Sequence, residues 1–139
     1  AIVAGAAVAL VKDLPAMLGA LRPGGVCILH VLNLWSLAEG VTTWQKCKRV
    51  THAGADHILL KSVRRQGGGG HIDFADLVLT DGGVISAFDA AEFVGLEADD
   101  LTHMAEACGA VDVQRFGSYQ GRPYDRATST DLILVCRRA

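Results

Sequence analysis

Apolar positions fall into helical spacing in some stretches and into short unbroken runs in others, and the two alternate along the chain. Leu14, Met17, Leu18 and Leu21 recur at helical spacing and mark one buried stripe. Asp13 is placed to cap this helix, with Pro15 in its first turn. Pro23 then presets a turn, and Gly24 can take the positive φ that such a turn needs. The run Val26-Cys27-Ile28-Leu29 shows no polar alternation, the pattern of a strand covered by helices on both sheet faces. Upstream, Ala1 to Ala4 is a short apolar strand ended by Gly5-Ala6-Ala7. Strand, helix and strand together predict a parallel crossover unit of an open α/β sheet.

Between Asn33 and Ala55 the periodicity is weak. Leu34, Trp35, Leu37, Val41 and Trp44 are spaced to line an amphipathic helix, which Gly40 would interrupt. The middle is of another kind. His57 to Arg64, His71 to Thr80 and Val84 to Phe88 are rich in apolar and β-branched residues, separated by Gly67 to Gly70 and by Asp81-Gly82-Gly83. They predict a three-stranded antiparallel meander over 56–90, inserted as a cap into the α/β alternation. Alternation resumes with a second helical stripe of Leu101, Met104, Ala105 and Cys108. Asp99 and Asp100 lie in its first turn and Gly109 stops it. Val111 to Phe116 and Asp131 to Cys136 read as strands joined by a long loop without a helix, and so as an antiparallel pair.

Composition narrows the function classes. The chain has 139 residues, half of them hydrophobic and a fifth charged, enough for one domain with a real core. A net charge of −2 offers no basic excess for a phosphate backbone, so nucleic acid is not the expected partner. No apolar run approaches the roughly 20 residues of a membrane span. The opening AIVAGAAVALV lacks the basic flank of a signal peptide. Cys27, Cys47, Cys108 and Cys136 are widely spaced and three lie in apolar runs, which points to reduced thiols and a cytoplasmic protein. Neither the cysteines nor the five histidines have metal-ligand spacing. The chain opens without methionine in the middle of a strand, and is expected to be the C-terminal part of a longer protein.

Leu-Arg-Pro-Gly-Gly (residues 21–25) before a buried strand resembles the region after the fourth strand of class I S-adenosylmethionine-dependent methyltransferases. Three later stretches fit: the helix ending Ala107-Cys108-Gly109, the strand carrying Val113 to Gly117, and the end from Asp131 to Arg138. The loop Gly117 to Asp125 also has its counterpart there, and the similarity is nearest to the branch of glycine and sarcosine N-methyltransferases. The resemblance implies a Rossmann-like seven-stranded sheet of which this chain holds strands four to seven, the last antiparallel. It also implies S-adenosylmethionine as cofactor and a small-molecule methyl acceptor. Backbone at Ala4, Gly5 and Ala6 would touch the cofactor. The family's glycine-rich loop and ribose-binding acidic residue have no counterpart in these residues. Where relatives often read Gly-Asn-Ser-x-x-His, only Gly5 is kept.

Methyl transfer is governed by alignment of donor and nucleophile, so no conspicuous triad is required. A base matters where the nucleophile arrives protonated, and His30 is the first candidate. Asn33, at the carboxyl end of a central strand, and Trp35 just beyond it are candidate acceptor contacts. Tyr119, Arg122 and Tyr124 share a long loop, and an arginine flanked by two tyrosines suits a carboxylate. A non-catalytic alternative stays open: an apolar first strand left as a sheet edge would make a binding or homo-oligomerisation module.

Overall fold

A computed structural model describes residues 2–4 and 7–139, with side chains from Lys12 onward. They form two compact units, one of residues up to Ser36 together with Val94–Ala139, the other Leu37–Phe93.

The first unit is built on a four-stranded sheet. Its strands are β1 (Ile2–Ala4), β2 (Val26–Leu32), β7 (Ala110–Phe116) and β8 (Asp131–Arg138), in the order β1-β2-β8-β7. β1 runs parallel to β2, whereas β8 lies between β2 and β7 and is antiparallel to both. The expected antiparallel ending is therefore present. Helices α1 (Ala7–Gly19) and α2 (Ala98–Ala107) supply the core stripes anticipated from spacing. Leu14, Leu18, Leu101 and Ala105 pack with Cys27, Leu29, Val31, Leu132, Leu134 and Cys136, all within 7% exposure.

The turn between α1 and β2 forms for the reasons its sequence gives. Gly24 sits at φ +73, and the Gly25 amide donates to the Arg22 carbonyl over 2.8 Å, closing the turn with Pro23 at its second position. A Cβ on Gly25 would stand 2.8 Å from that same carbonyl, so the second glycine is needed as well. Three expectations fail in this unit. Asp13 lies inside α1 and does not cap it, because the alanine-rich stretch from Ala7 already takes helical conformation. Pro15 is accordingly inside the helix rather than in its first turn. Both helix stripes also cover the same sheet face. The opposite face, carrying Val26, Ile28, His30, Leu32, Ile133, Val135 and Val111, lies outside the core cluster that the described helix side chains share. Val26 and Val111 are 39% and 43% exposed there.

The second unit is an antiparallel sheet of four strands, not three: β3 (Thr42–His52), β4 (Ala55–Gln66), β5 (Gly69–Thr80) and β6 (Gly83–Val94). The extra strand is β3. In place of an amphipathic helix, only Leu34–Ser36 makes a single 3-10 turn. Gly40 at φ +70 then turns the chain, and Trp44 falls on β3 with 66% exposure. The four glycines divide as a turn at Gly67, with φ +58, and the start of β5 at Gly69 and Gly70. Gly70 has a packing reason: a Cβ there would collide with the Arg64 carbonyl and the Phe93 ring.

Candidate functional site

The candidate residues of the first unit gather at the carboxyl end of β2, where β8 begins and the 117–130 loop ends. Two hydrogen-bond clusters occupy this end.

The first centres on Asn33, which is 1% exposed. Its Nδ2 donates to the carbonyls of Arg126 at 2.9 Å and Ser129 at 2.6 Å. Its Oδ1 accepts from the Tyr124 hydroxyl at 3.0 Å and the Trp35 amide at 3.3 Å. Two donors and two acceptor positions are the full capacity of a primary amide, so Asn33 fastens the loop to the strand end. Trp35 is tied alongside: its indole Nε1 donates to the Leu96 carbonyl at 3.2 Å, and the Arg126 guanidinium lies 4.6 Å from its ring centre. Arg126 in turn grips the Glu97 carboxylate through Nε at 3.0 Å and Nη2 at 2.7 Å. Asp125 organises the loop from within, accepting from the amides of Ala127 and Thr128 and from the Thr128 hydroxyl. These hydrogen bonds hold its carboxyl below the usual range. Burial raises the Tyr124 hydroxyl above its ordinary pKa.

The second cluster lies on the sheet face away from the helices. His30 Nε2 is 3.1 Å from Asp131 Oδ1, and His30 Nδ1 is 3.1 Å from the Tyr119 hydroxyl. The His30 and Tyr119 rings meet edge to face with centres 5.3 Å apart. Strand register explains the first contact. Leu32 pairs with Asp131 and His30 with Ile133, so the two side chains are diagonal neighbours on one face.

Tyr119, Arg122 and Tyr124 are thus not brought to one point. Tyr119 turns to His30, Tyr124 turns to Asn33, and Arg122 is exposed. Asp131 and Arg126 carried no sequence signal, since their partners are distant in the chain. Ala4 ends β1, in register with His30, while Gly5 and Ala6 lie outside the described residues. Of the carboxylates described at this end, Asp131 and Glu97 are paired with His30 and Arg126, Asp125 accepts from Ala127 and Thr128, and the Asn33 amide is fully used. These residues do not by themselves fit S-adenosylmethionine: they offer one rim and no uncommitted carboxylate for ribose hydroxyls. The open depression of about 370 Å³ lined by Val26, Gln114, Val135 and Arg137 is at the other end of β2. Among the described residues, no group of three or more His, Cys, Asp or Glu side chains is placed to hold a metal ion. None of the described helices is long and apolar enough to cross a membrane.

No family model matches the chain, and no curated protein sequence does. Solved structures do. The sugar N-methyltransferase KedS8 of a Streptoalloteichus species superposes over 95% of this chain and 50% of its own, with TM-score 0.67 and 18% identity. CalS10, an S-adenosylmethionine-bound amino pentose methyltransferase of Micromonospora echinaspora, gives 0.63 and 16% over 96% of this chain and 52% of its own. The CcbJ methyltransferase of Streptomyces caelestis gives 0.62 and 21% over 93% and 52%. The chain therefore shares its fold with part of these methyltransferase structures, and it spans about half their length. The narrower likeness to glycine and sarcosine N-methyltransferases finds no support among them.

Proposed function

We propose that this chain is the C-terminal part of an S-adenosylmethionine-dependent methyltransferase that acts on a small-molecule acceptor. The observation that carries the reading is the sheet order β1-β2-β8-β7 with β8 reversed between two parallel strands. The apolar face outside the core cluster supports it. Val26, Ile28, Leu32 and Val135 form a surface suited to further helices, and the preceding half of a full-length domain would bring them. That half would also hold the cofactor, leaving the carboxyl end of β2 and its loop to face the acceptor. In this reading Asn33 and Tyr124 hold the loop, while Tyr119, Arg122 and Trp35 form the acceptor side. Two of the similar structures are described as a sugar N-methyltransferase and an amino pentose methyltransferase, which favours an amine-bearing sugar as acceptor.

Calorimetry of the full-length protein with S-adenosylmethionine tests this. Saturable one-site binding is expected, with competition by S-adenosylhomocysteine. A well-folded full-length protein that binds neither would overturn the proposal in favour of a non-catalytic binding or oligomerisation module.

A further inference from the structure

We propose that Tyr119, His30 and Asp131 form a proton-accepting relay whose outer end, the Tyr119 hydroxyl, takes a proton from an amine or hydroxyl acceptor. Its purpose rests on the methyltransferase reading, but its hydrogen bonds can be tested without it.

The chemistry of the two partners assigns the hydrogens of a neutral ring. An ionised Asp131 carboxylate can only accept, so the His30 nitrogen 3.1 Å away, Nε2, carries the hydrogen of the neutral ring. Nδ1 then presents a lone pair to the Tyr119 hydroxyl, also 3.1 Å away, and the phenol donates to it. With its hydrogen turned inward, the phenol oxygen keeps its lone pairs for a group outside. Tyr119 is 61% exposed in this half of the fold, and the acceptor is to meet it at the carboxyl end of β2.

The transfer balances. The acceptor's N–H or O–H bond breaks and its proton joins the Tyr119 oxygen, while the phenol hydrogen moves to His30 Nδ1. The net change is one proton carried from acceptor to imidazole, with the acceptor left holding the lone pair it needs as a nucleophile. The resulting imidazolium is held by Asp131, which acts as a positioning residue. An amine acceptor needs this step because it is mostly an ammonium ion near neutral pH, and an ammonium has no lone pair to attack with. The titratable groups facing His30 are Asp131 from β8 and Tyr119 from the loop, and its β1 neighbour in register is Ala4.

A comparison within the chain separates a relay from an ordinary cross-strand pair. His57 Nδ1 meets the Asp76 carboxylate at 2.9 and 3.0 Å between β4 and β5, and its other aromatic neighbour is His52, with ring centres 6.0 Å apart. Among the described residues, no hydroxyl is hydrogen-bonded to that imidazole. Of the two tyrosines, Tyr124 spends its hydroxyl on Asn33, and Tyr119 alone turns its own onto a histidine.

The test is nitrogen-15 NMR of His30 in the full-length protein, paired with kinetics of methyl transfer to 3-amino-3-deoxyglucose. The neutral ring should be the Nε2–H tautomer, and Tyr119→Phe should shift only the Nδ1 resonance, to that of an unbonded lone pair. His30→Ala and Tyr119→Phe should each lower kcat by roughly 10²-fold or more, with free imidazole partly restoring His30→Ala. Asp131→Ala should mix the tautomers, and Asp131→Glu should restore the tautomer and most of kcat. An Nδ1–H tautomer, or an Nδ1 resonance indifferent to Tyr119→Phe, would overturn the relay whatever the activity. Variants within threefold of an active parent would overturn it too. Failure of the parent to bind S-adenosylmethionine would instead overturn the methyltransferase reading, and the purpose of the relay with it.

Discussion

The Tyr124 hydroxyl donates to the buried amide oxygen of Asn33 over 3.0 Å, joining residues 91 positions apart. That bond is one of four that the Asn33 side chain makes, and the other three hold backbone of the same loop and of the turn after β2. Replacing Asn33 with Ala leaves the Arg126 and Ser129 carbonyls without their donor and the Tyr124 hydroxyl without its acceptor. The expected cost is about 2–4 kcal/mol, the loss of several satisfied buried groups at about 1–3 kcal/mol each with partial relief by water. Tyr124→Phe removes one bond and should cost about 1 kcal/mol. A double-mutant cycle by urea denaturation should show the two effects to be non-additive, since they share a bond.

Ala53 stands at φ +50 and is followed by Gly54 at φ +81, forming the two-residue turn between β3 and β4. Both central residues of such a hairpin turn need the left-handed region, which costs an L-residue with a Cβ about 1–2 kcal/mol. Ala53→Asn should therefore stabilise the protein by about 1 kcal/mol, raising the denaturation midpoint at unchanged slope. An unchanged or lower midpoint would contradict this.

Cys27 and Cys136 face each other across β2 and β8, both at most 1% exposed. Burial raises both thiols, Cys136 to about 11, which keeps them as poorly reactive neutral groups. Cys47 lies exposed on β3. Iodoacetamide at pH 8 followed by mass spectrometry should label Cys47 readily, and Cys27 and Cys136 only once the protein is unfolded.

How much of this was legible depends on the range of the interactions involved. The Arg22-Pro23-Gly24-Gly25 turn and the α2 stripe were readable because their causes lie within a few residues. β3 was not: Thr42 to His52 has little apolar alternation, and its partner β4 supplies the hydrogen bonds that make it a strand. The start of α1 is not legible locally, because Asp13 has the residue type of a cap while the alanines before it need none. At the site, sequence position singled out His30, Asn33 and Tyr119. Their partners Asp131 and Arg126 depend on strand register and loop path, which no local pattern carries. For the same reason the joint placement of Tyr119, Arg122 and Tyr124 failed: neighbours in a loop need not point the same way.

The Asp125 carboxyl is lowered by hydrogen bonds from Thr128 and Ala127. A depressed carboxyl contributes stability that is present above its unfolded value, about 3.9, and is lost as pH falls through its folded value. Asp125→Ala should thus be less stable than the parent at pH 6, with the gap narrowing as pH falls below about 4. A gap that stays constant down to pH 2 would remove Asp125 from the acid sensitivity of the loop.

The proposed activity is methyl transfer to a small amine-bearing acceptor. It is tested most directly by incubating the full-length protein with methyl-tritiated S-adenosylmethionine and an amino sugar such as 3-amino-3-deoxyglucose. Tritium is expected in a product one methyl group heavier than the sugar, formed at a rate proportional to enzyme. A folded, cofactor-saturated protein that leaves a panel of amino sugars and other small amines and alcohols unlabelled would contradict it.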